Sequence, residues 1–260
     1  MDICFQTRNS EKKFENLSFK IGLSLKAGND EQHKELTKTD ALNKVKKAIS
    51  LLTEDGKLST VSVTISSAVI DSIVEMVKLV KDADGENISF EMCSFTFDKD
   101  GNVDGTSLVP PQILAEKMVN AYFEIDNIMN GNLSFHVSTF LCMFPDGFIE
   151  TLEKKDQIVS GCHVLKRTGV VFNIDCEVLL CNHLHHIPIG AFGVDFHDSD
   201  SFINWWSKKE VKEYNNRVVN YPAKKCQTFK KYTFCGGGCP MPWFYYNPND
   251  VITNNKSSIS

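Results

Sequence analysis

Residues 226–246 read CQTFKKYTFCGGGCPMPWFYY, and upstream of them residues 161–184 read GCHVLKRTGVVFNIDCEVLLCNHL. Cys235 and Cys239 bracket three consecutive glycines. Glycines beside metal ligands have a physical use. They permit positive φ, let the backbone wrap closely, and aim N–H groups at sulfur. The simpler reading of CGGGC is a flexible loop with two incidental thiols. It carries little weight here, because Cys226 precedes the pair and Cys162, Cys176 and Cys181 lie upstream. Residues 164–181 themselves look like a β-hairpin, with β-branched runs on either side of a turn at Asn173–Asp175.

The chain has nine cysteines, and six of them fall at or after Cys162; the others are Cys4, Cys93 and Cys142. The number is odd, and the opening MDICFQTRNSEKK has no apolar core of signal-peptide length. This reading places the protein in the cytoplasm, where thiols stay reduced and a disulfide framework is not expected. Reduced cysteines crowded into one region point to a metal or a cluster. Hydrophobic residues make up 42% of the 260 and charged residues 23%, which is globular composition. A formal charge of −5 argues against a general nucleic-acid binder. No stretch approaches the ~18 apolar residues of a membrane helix.

The first half has a different texture. Strands are predicted at 18–25, 59–66, 88–97 and 132–138. A loop follows the first strand, and a helix begins near Thr39 or Asp40, with Leu42, Val45, Ile49 and Leu52 on one face. A second helix carries Ile70, Ile73, Val74, Val77 and Val80. Pro110 and Pro111 open a third, carried by Ile113, Leu114, Met118, Tyr122 and Ile125. Strands separated by such helices imply right-handed crossovers and a parallel sheet, either about half of an eight-stranded barrel or most of a small open sheet. The acidic run DKDGNVDG at 98–105 has its glycine at the fourth position and Val109 at the twelfth, so a solvated turn is expected rather than a calcium loop.

The cysteine-rich segment resembles a SPASM domain, the C-terminal auxiliary-cluster module of radical S-adenosylmethionine enzymes. That family's pattern runs Cys, nine to fifteen residues, Gly, four residues, Cys; then C-x2-C-x5-C-x3-C; then a last Cys. This chain offers Cys162, thirteen residues, Cys176, four residues, Cys181, and later Cys226, Phe229, Cys235 and Cys239 at the matching spacing. The first half is similar to the barrel of such enzymes from its fourth strand onward. IGLSLKAGNDEQHKEL matches the SLDG and His of that strand at Ser24, Leu25 and His33. The fold class implied is α/β: the C-terminal half of a partial TIM-type (β/α)6 barrel over 1–159, a small SPASM module over 160–246, and a flexible tail over 247–260.

The resemblance also implies a ligand set. Cys162, Cys181 and Cys239 correspond to the first auxiliary [4Fe-4S] cluster, with Cys176 or Cys142 as a candidate fourth ligand. Cys226 and Cys235 correspond to the second, which has Phe229 in place of one thiolate and no cysteine after Cys239. One cluster is therefore expected. Cys93 reads as a core cysteine, and His183, His185 and His186 as a solvated loop. Trp205, Trp206 and the run Trp243–Tyr246 are expected to pack the small module.

Departures from the family limit the chemistry. No C-x3-C-x2-C triplet occurs in the sequence, so no catalytic residue is assigned. Lys26 and Thr37 replace an Asp and an Arg that lie near the bound nucleoside in the family. Ser24 remains as a weak ribose contact, and S-adenosyl-L-methionine is not expected to be held by this chain alone. Asn182 replaces the Asp of the sulfatase-maturating branch, so the reading leans to modification of a ribosomally made peptide. The implied partners are a precursor peptide and a separate chain carrying the N-terminal barrel half. The alternatives are a non-catalytic cluster- or peptide-binding module, or a zinc protein.

Overall fold

The computed structural model describes residues 20–94, 96–97, 102–137, 141–160, 162, 164, 167–185, 187–219, 226, 228–241, 247 and 249. The earlier readings on Cys4, His186 and Trp243–Tyr246 lie outside them. The chain divides into two compact units. One takes residues up to Cys93 with Gln112–His136 and Gly147–Val159; the other takes Ser94–Pro111, Val137–Asp146 and the residues from Ser160 onward.

The first unit is α/β. Strands β1 (Ile21–Leu25), β2 (Leu58–Ile65) and β3 (Ile88–Met92) pair in parallel, and β3 pairs in parallel with the later strand Leu133–Val137. Between them run helices α1 (Asp30–Thr37), α2 (Leu42–Glu54), α3 (Ile73–Asp82) and α4 (Pro111–Ile128). A short antiparallel pair, β4 (Thr96–Phe97) and β5 (Val103–Asp104), belongs to the second unit and flanks the acidic run, whose residues 98–101 lie outside the described ones. Leu133–Val137 is thus β6, helix α5 spans Asp146–Lys154, and β7 (Ile158–Ser160) completes a sheet of order β1-β2-β3-β6-β7. The α/β class read from the sequence holds.

Two details differ from that reading. The segment after β1 is a helix, because the Asn29 side chain accepts from the Gln32 amide at 2.9 Å and Asp30 and Glu31 face the positive helix start. The sheet also has a fifth strand, β7, too short to carry a periodic signal. The core is apolar and dense. Val61, Val63 and Phe90 of the sheet, Ile49 of α2 and Met76, Val77 and Val80 of α3 are all closed to solvent. Each such side chain stabilises the fold by about 1.5–3 kcal/mol through burial. Phe90 and Phe135 sit opposite in register, with rings stacked at 5.3 Å. Tyr122 of α4, also fully buried, satisfies its hydroxyl by donating to Gln157 Oε1 at 2.6 Å.

The second unit holds an antiparallel sheet of order β10-β9-β8, formed by β8 (Val171–Phe172), β9 (Glu177–Leu179) and β10 (Pro188–Ala191). The stretch 201–216 is two helices, α6 (Ser199–Trp206) and α7 (Lys209–Val219). Asp198 starts α6 with a reciprocal capping box to Ser201. Trp205 is buried with Val178, Phe196 and Val211, and Phe202 and Trp206 pack against that group. Arg167 stacks its guanidinium over the Trp206 ring at 4.3 Å and donates to the Trp206 carbonyl. The last element is a single turn, α8 (Tyr232–Cys235). No helix among the described residues is long and apolar enough to cross a membrane.

Candidate metal centre

The cysteines of the second unit sort into two groups. Cys181 ends the strand-and-turn segment after β9 and opens a 3₁₀ turn, Asn182–Leu184. The amides of His183 and Leu184 are turned toward its sulfur, though no capping hydrogen bond closes. Cys181 is buried with Leu108, Val164, Leu180, Leu184 and Met241, and both Cys162 and Cys239 pack against this cluster. Burial first, and then the neighbouring Cys162 and Cys181, push the Cys239 thiol up to about 12, while the Met241 amide works against them. Cys181 is likewise raised, by burial first and by Cys162. Cys162, Cys181 and Cys239 therefore form one neighbourhood.

Cys226 and Cys235 form another. Both are buried, at 4% and 7% exposure. Gly236, Gly237 and Gly238 all take positive φ, at 59°, 84° and 72°, a run that only glycine adopts without strain. Gly238 donates its amide to the Cys235 carbonyl at 2.9 Å, and the nearby Leu141, Gly237 and Gly238 amides act to lower the Cys235 thiol. Burial nonetheless dominates and raises the Cys235 thiol. Phe229 is half-buried and donates its amide to the Cys226 carbonyl at 3.1 Å, so it continues that turn and brings no sulfur.

The two proposed fourth ligands go elsewhere. Cys142 lies on a 3₁₀ turn, Leu141–Met143, beside the second group: burial, then Cys235 and Cys226, push it up to about 12. Cys176 is exposed at the hairpin turn and lines an apolar cleft of about 350 Å³ with Phe172, Phe192, Phe196 and Phe202. The placement of Cys142 had no signal in its spacing; only the tertiary fold reveals it. His183, the middle residue of the 3₁₀ turn, is exposed at the surface, and partial desolvation of its ring lowers its pKa.

All described cysteines are free. Among the described residues no three His, Cys, Asp or Glu side chains are grouped to hold one metal ion. Tetrahedral zinc, with Zn–S near 2.3 Å, needs its sulfurs about 3.8 Å apart. A four-iron cluster instead takes each cysteine on a different iron, which spreads the sulfurs more widely. The two kinds of centre therefore ask for different sulfur spacings.

In the first unit, Ser24 is exposed on β1 in register with Ser62 of β2. His33 is 4% exposed and its Nδ1 lies 3.3 Å from both the Thr39 carbonyl and the Thr37 hydroxyl, which ties the end of α1 to the following loop. Cys93, just after β3, is half-buried; burial raises its thiol and Lys26 opposes the rise.

No family model matches the chain, and no curated protein matches it in sequence. Solved structures do match. Native anSMEcpe with bound AdoMet and Cp18Cys peptide aligns with a TM-score of 0.61 at 18% identity, covering 90% of this chain and 63% of that one. The chain shares this fold. Native anSMEcpe with bound AdoMet aligns at 0.57 and 19% identity, covering 88% and 59%. The chain thus spans about three fifths of the length of these structures. At this identity the likeness is one of fold alone.

Proposed function

We infer that this chain is the cluster-carrying portion of a radical S-adenosylmethionine/SPASM-type system that acts on a peptide. The observation that carries the reading is the gathering of Cys162, Cys181 and Cys239 from three separate segments, within a fold shared with anSMEcpe bound to AdoMet and peptide. These three cysteines hold one [4Fe-4S] cluster, which supplies one-electron redox chemistry when bound. The chain's own part is to bury the cluster, to offer amides to its thiolates, and to seat a peptide. Reductive cleavage of S-adenosylmethionine requires the C-x3-C-x2-C cluster, which these 260 residues lack. It belongs to a further segment or a partner chain.

The experiment is anaerobic reconstitution of the chain with iron and sulfide, followed by iron and sulfide analysis and visible spectroscopy. The expected result is a brown protein, from which Cys239→Ser removes about four irons per chain. A colourless protein that retains zinc, or a Cys239→Ser variant with its full iron content, overturns the reading.

A further inference from the structure

The aromatic cleft of about 350 Å³ in the second unit has no part in the metal chemistry above. Its rings come from three segments: Phe172 of β8, Phe192 and Phe196 of the loop after β10, and Phe202 of α6. They brace one another, with Phe196 centred 5.0 Å from Phe202, 5.9 Å from Phe192 and 6.1 Å from Phe172. The Phe192 amide donates to the Cys176 carbonyl at 3.0 Å, which ties the loop to the hairpin tip. The cleft is also open, for Phe172 and Phe192 are 47% and 53% exposed. Two residues on from each, Ile174 and Val194 are more exposed still. Apolar side chains gathered in water at this density mark a surface that a partner covers.

The surroundings carry one sign of charge. From Thr168 to Ser207 the chain has five acidic residues, Asp175, Glu177, Asp195, Asp198 and Asp200, and no lysine or arginine. Asp198 lines the cleft, and Asp175, Asp195 and Asp200 are exposed and each adjoins a residue that lines it. None of the five joins a salt bridge among the described residues. Arg167, which packs on the same aromatic group, is taken up by the Trp206 ring and carbonyl. An apolar slot ringed by carboxylates repels an anionic lipid surface, and two copies set face to face would oppose acid to acid. It complements an apolar side chain flanked by cations.

We propose that this cleft docks a basic peptide, taking one aromatic or aliphatic side chain whose neighbours are lysine or arginine. Its volume lies at the small end of the about 300–1,000 Å³ typical of ligand pockets, which suits a single side chain and not a folded domain. The proposal rests on the reading above that the chain seats a peptide, and gives that peptide its anchor and its charge. It needs no cluster, because the residues it uses lie in β8, α6 and the turn and loop beside them.

The test is fluorescence-polarisation binding of three labelled pentapeptides to the full chain, at low and at high salt. The first has phenylalanine between two lysines, the second has glutamates in place of the lysines, and the third has alanine in place of the phenylalanine. The first is expected to bind about tenfold more tightly than either of the others, and to weaken as salt rises. Asp175→Asn and Asp200→Asn are each expected to weaken it by about two- to fivefold, and Phe192→Ala by about tenfold. Alkylation of the exposed Cys176 by iodoacetamide, mapped by mass spectrometry, gives a second readout on the unaltered chain: the first peptide slows it. Circular dichroism of each variant separates loss of the cleft from loss of fold. Equal binding of the lysine and glutamate peptides overturns the proposal. A dimer by light scattering that Phe192→Ala dissolves overturns it in favour of a second copy. If no peptide binds while the reconstituted chain holds iron that Cys239→Ser removes, the docking site is refuted and the cluster reading stands. If the lysine peptide binds as expected to a chain that takes up no iron, the cluster reading fails and the docking site stands.

Discussion

Cys176 donates its amide to the Asn173 carbonyl at 3.1 Å while its own backbone sits in the left-handed region, at φ 58°. A side chain with a Cβ pays about 1–2 kcal/mol to stay there. The family pattern has glycine at this place. Cys176→Gly is therefore expected to stabilise the metal-free module by about 1 kcal/mol in denaturant unfolding, and Cys176→Val to destabilise it. Iron content in Cys176→Gly should match the unaltered chain. A loss of iron would make this thiol a ligand after all.

Gly190 in β10 lies under the Trp205 ring. A Cβ there would meet Trp205 Cζ2 at 2.2 Å, so the indole must move out of the cluster it shares with Val178 and Phe196. Gly190→Ala is expected to cost about 1–3 kcal/mol, the range for overpacking a core. Tryptophan fluorescence should shift to the red. An unchanged melting temperature and spectrum would contradict the packing described.

Acid should weaken the first unit. Burial works against the Asp126 charge, but hydrogen bonds from Lys155 and from Gln157 Nε2, the latter at 2.6 Å, outweigh it and hold the carboxyl below its ordinary value. A depressed carboxyl contributes stability that is complete above the unfolded pKa, near 3.9, and is lost as pH falls through the lower folded value. The urea midpoint should decline from about pH 4 downward. Asp126→Asn should be weaker at neutral pH and show a shallower decline. An equal slope in both proteins would remove Asp126 from this role.

The chain supplied with S-adenosylmethionine and a strong reductant is expected to form no 5′-deoxyadenosine above a protein-free control. The argument is the missing triplet of thiolates, without which the sulfonium has no cluster to accept an electron from. Chromatography of the quenched mixture decides it, and any product above the control would require a cluster ligated in another way.

Much of this was legible in the residues. The parallel sheet follows from β-branched runs such as Ser59–Ser66 alternating with the stripes of α2 and α3. The resemblance set Cys162, Cys181 and Cys239 together, and the fold packs all three about one buried cluster. Other features escaped for identifiable reasons. Helix α1 has only one buried side chain, His33, and so no apolar stripe; its evidence is the Asn29 cap. Strand β7 has three residues, too few to show a period. Cys142 carries no local signal at all, because what places it is the packing of Leu141 and Met143 and one amide across the fold.

That amide also has a bearing on the order in which the molecule assembles. The Leu141 N–H and the Cys235 sulfur are separated by more than a third of the chain, and bringing them together closes a very long loop. The entropy of closure is spent before the contact returns anything, so contacts of this span form after local helices and hairpins are in place. Cys235, 7% exposed in the folded chain, owes that cover to a contact of long span, and until the span closes its thiol stands open to oxidants.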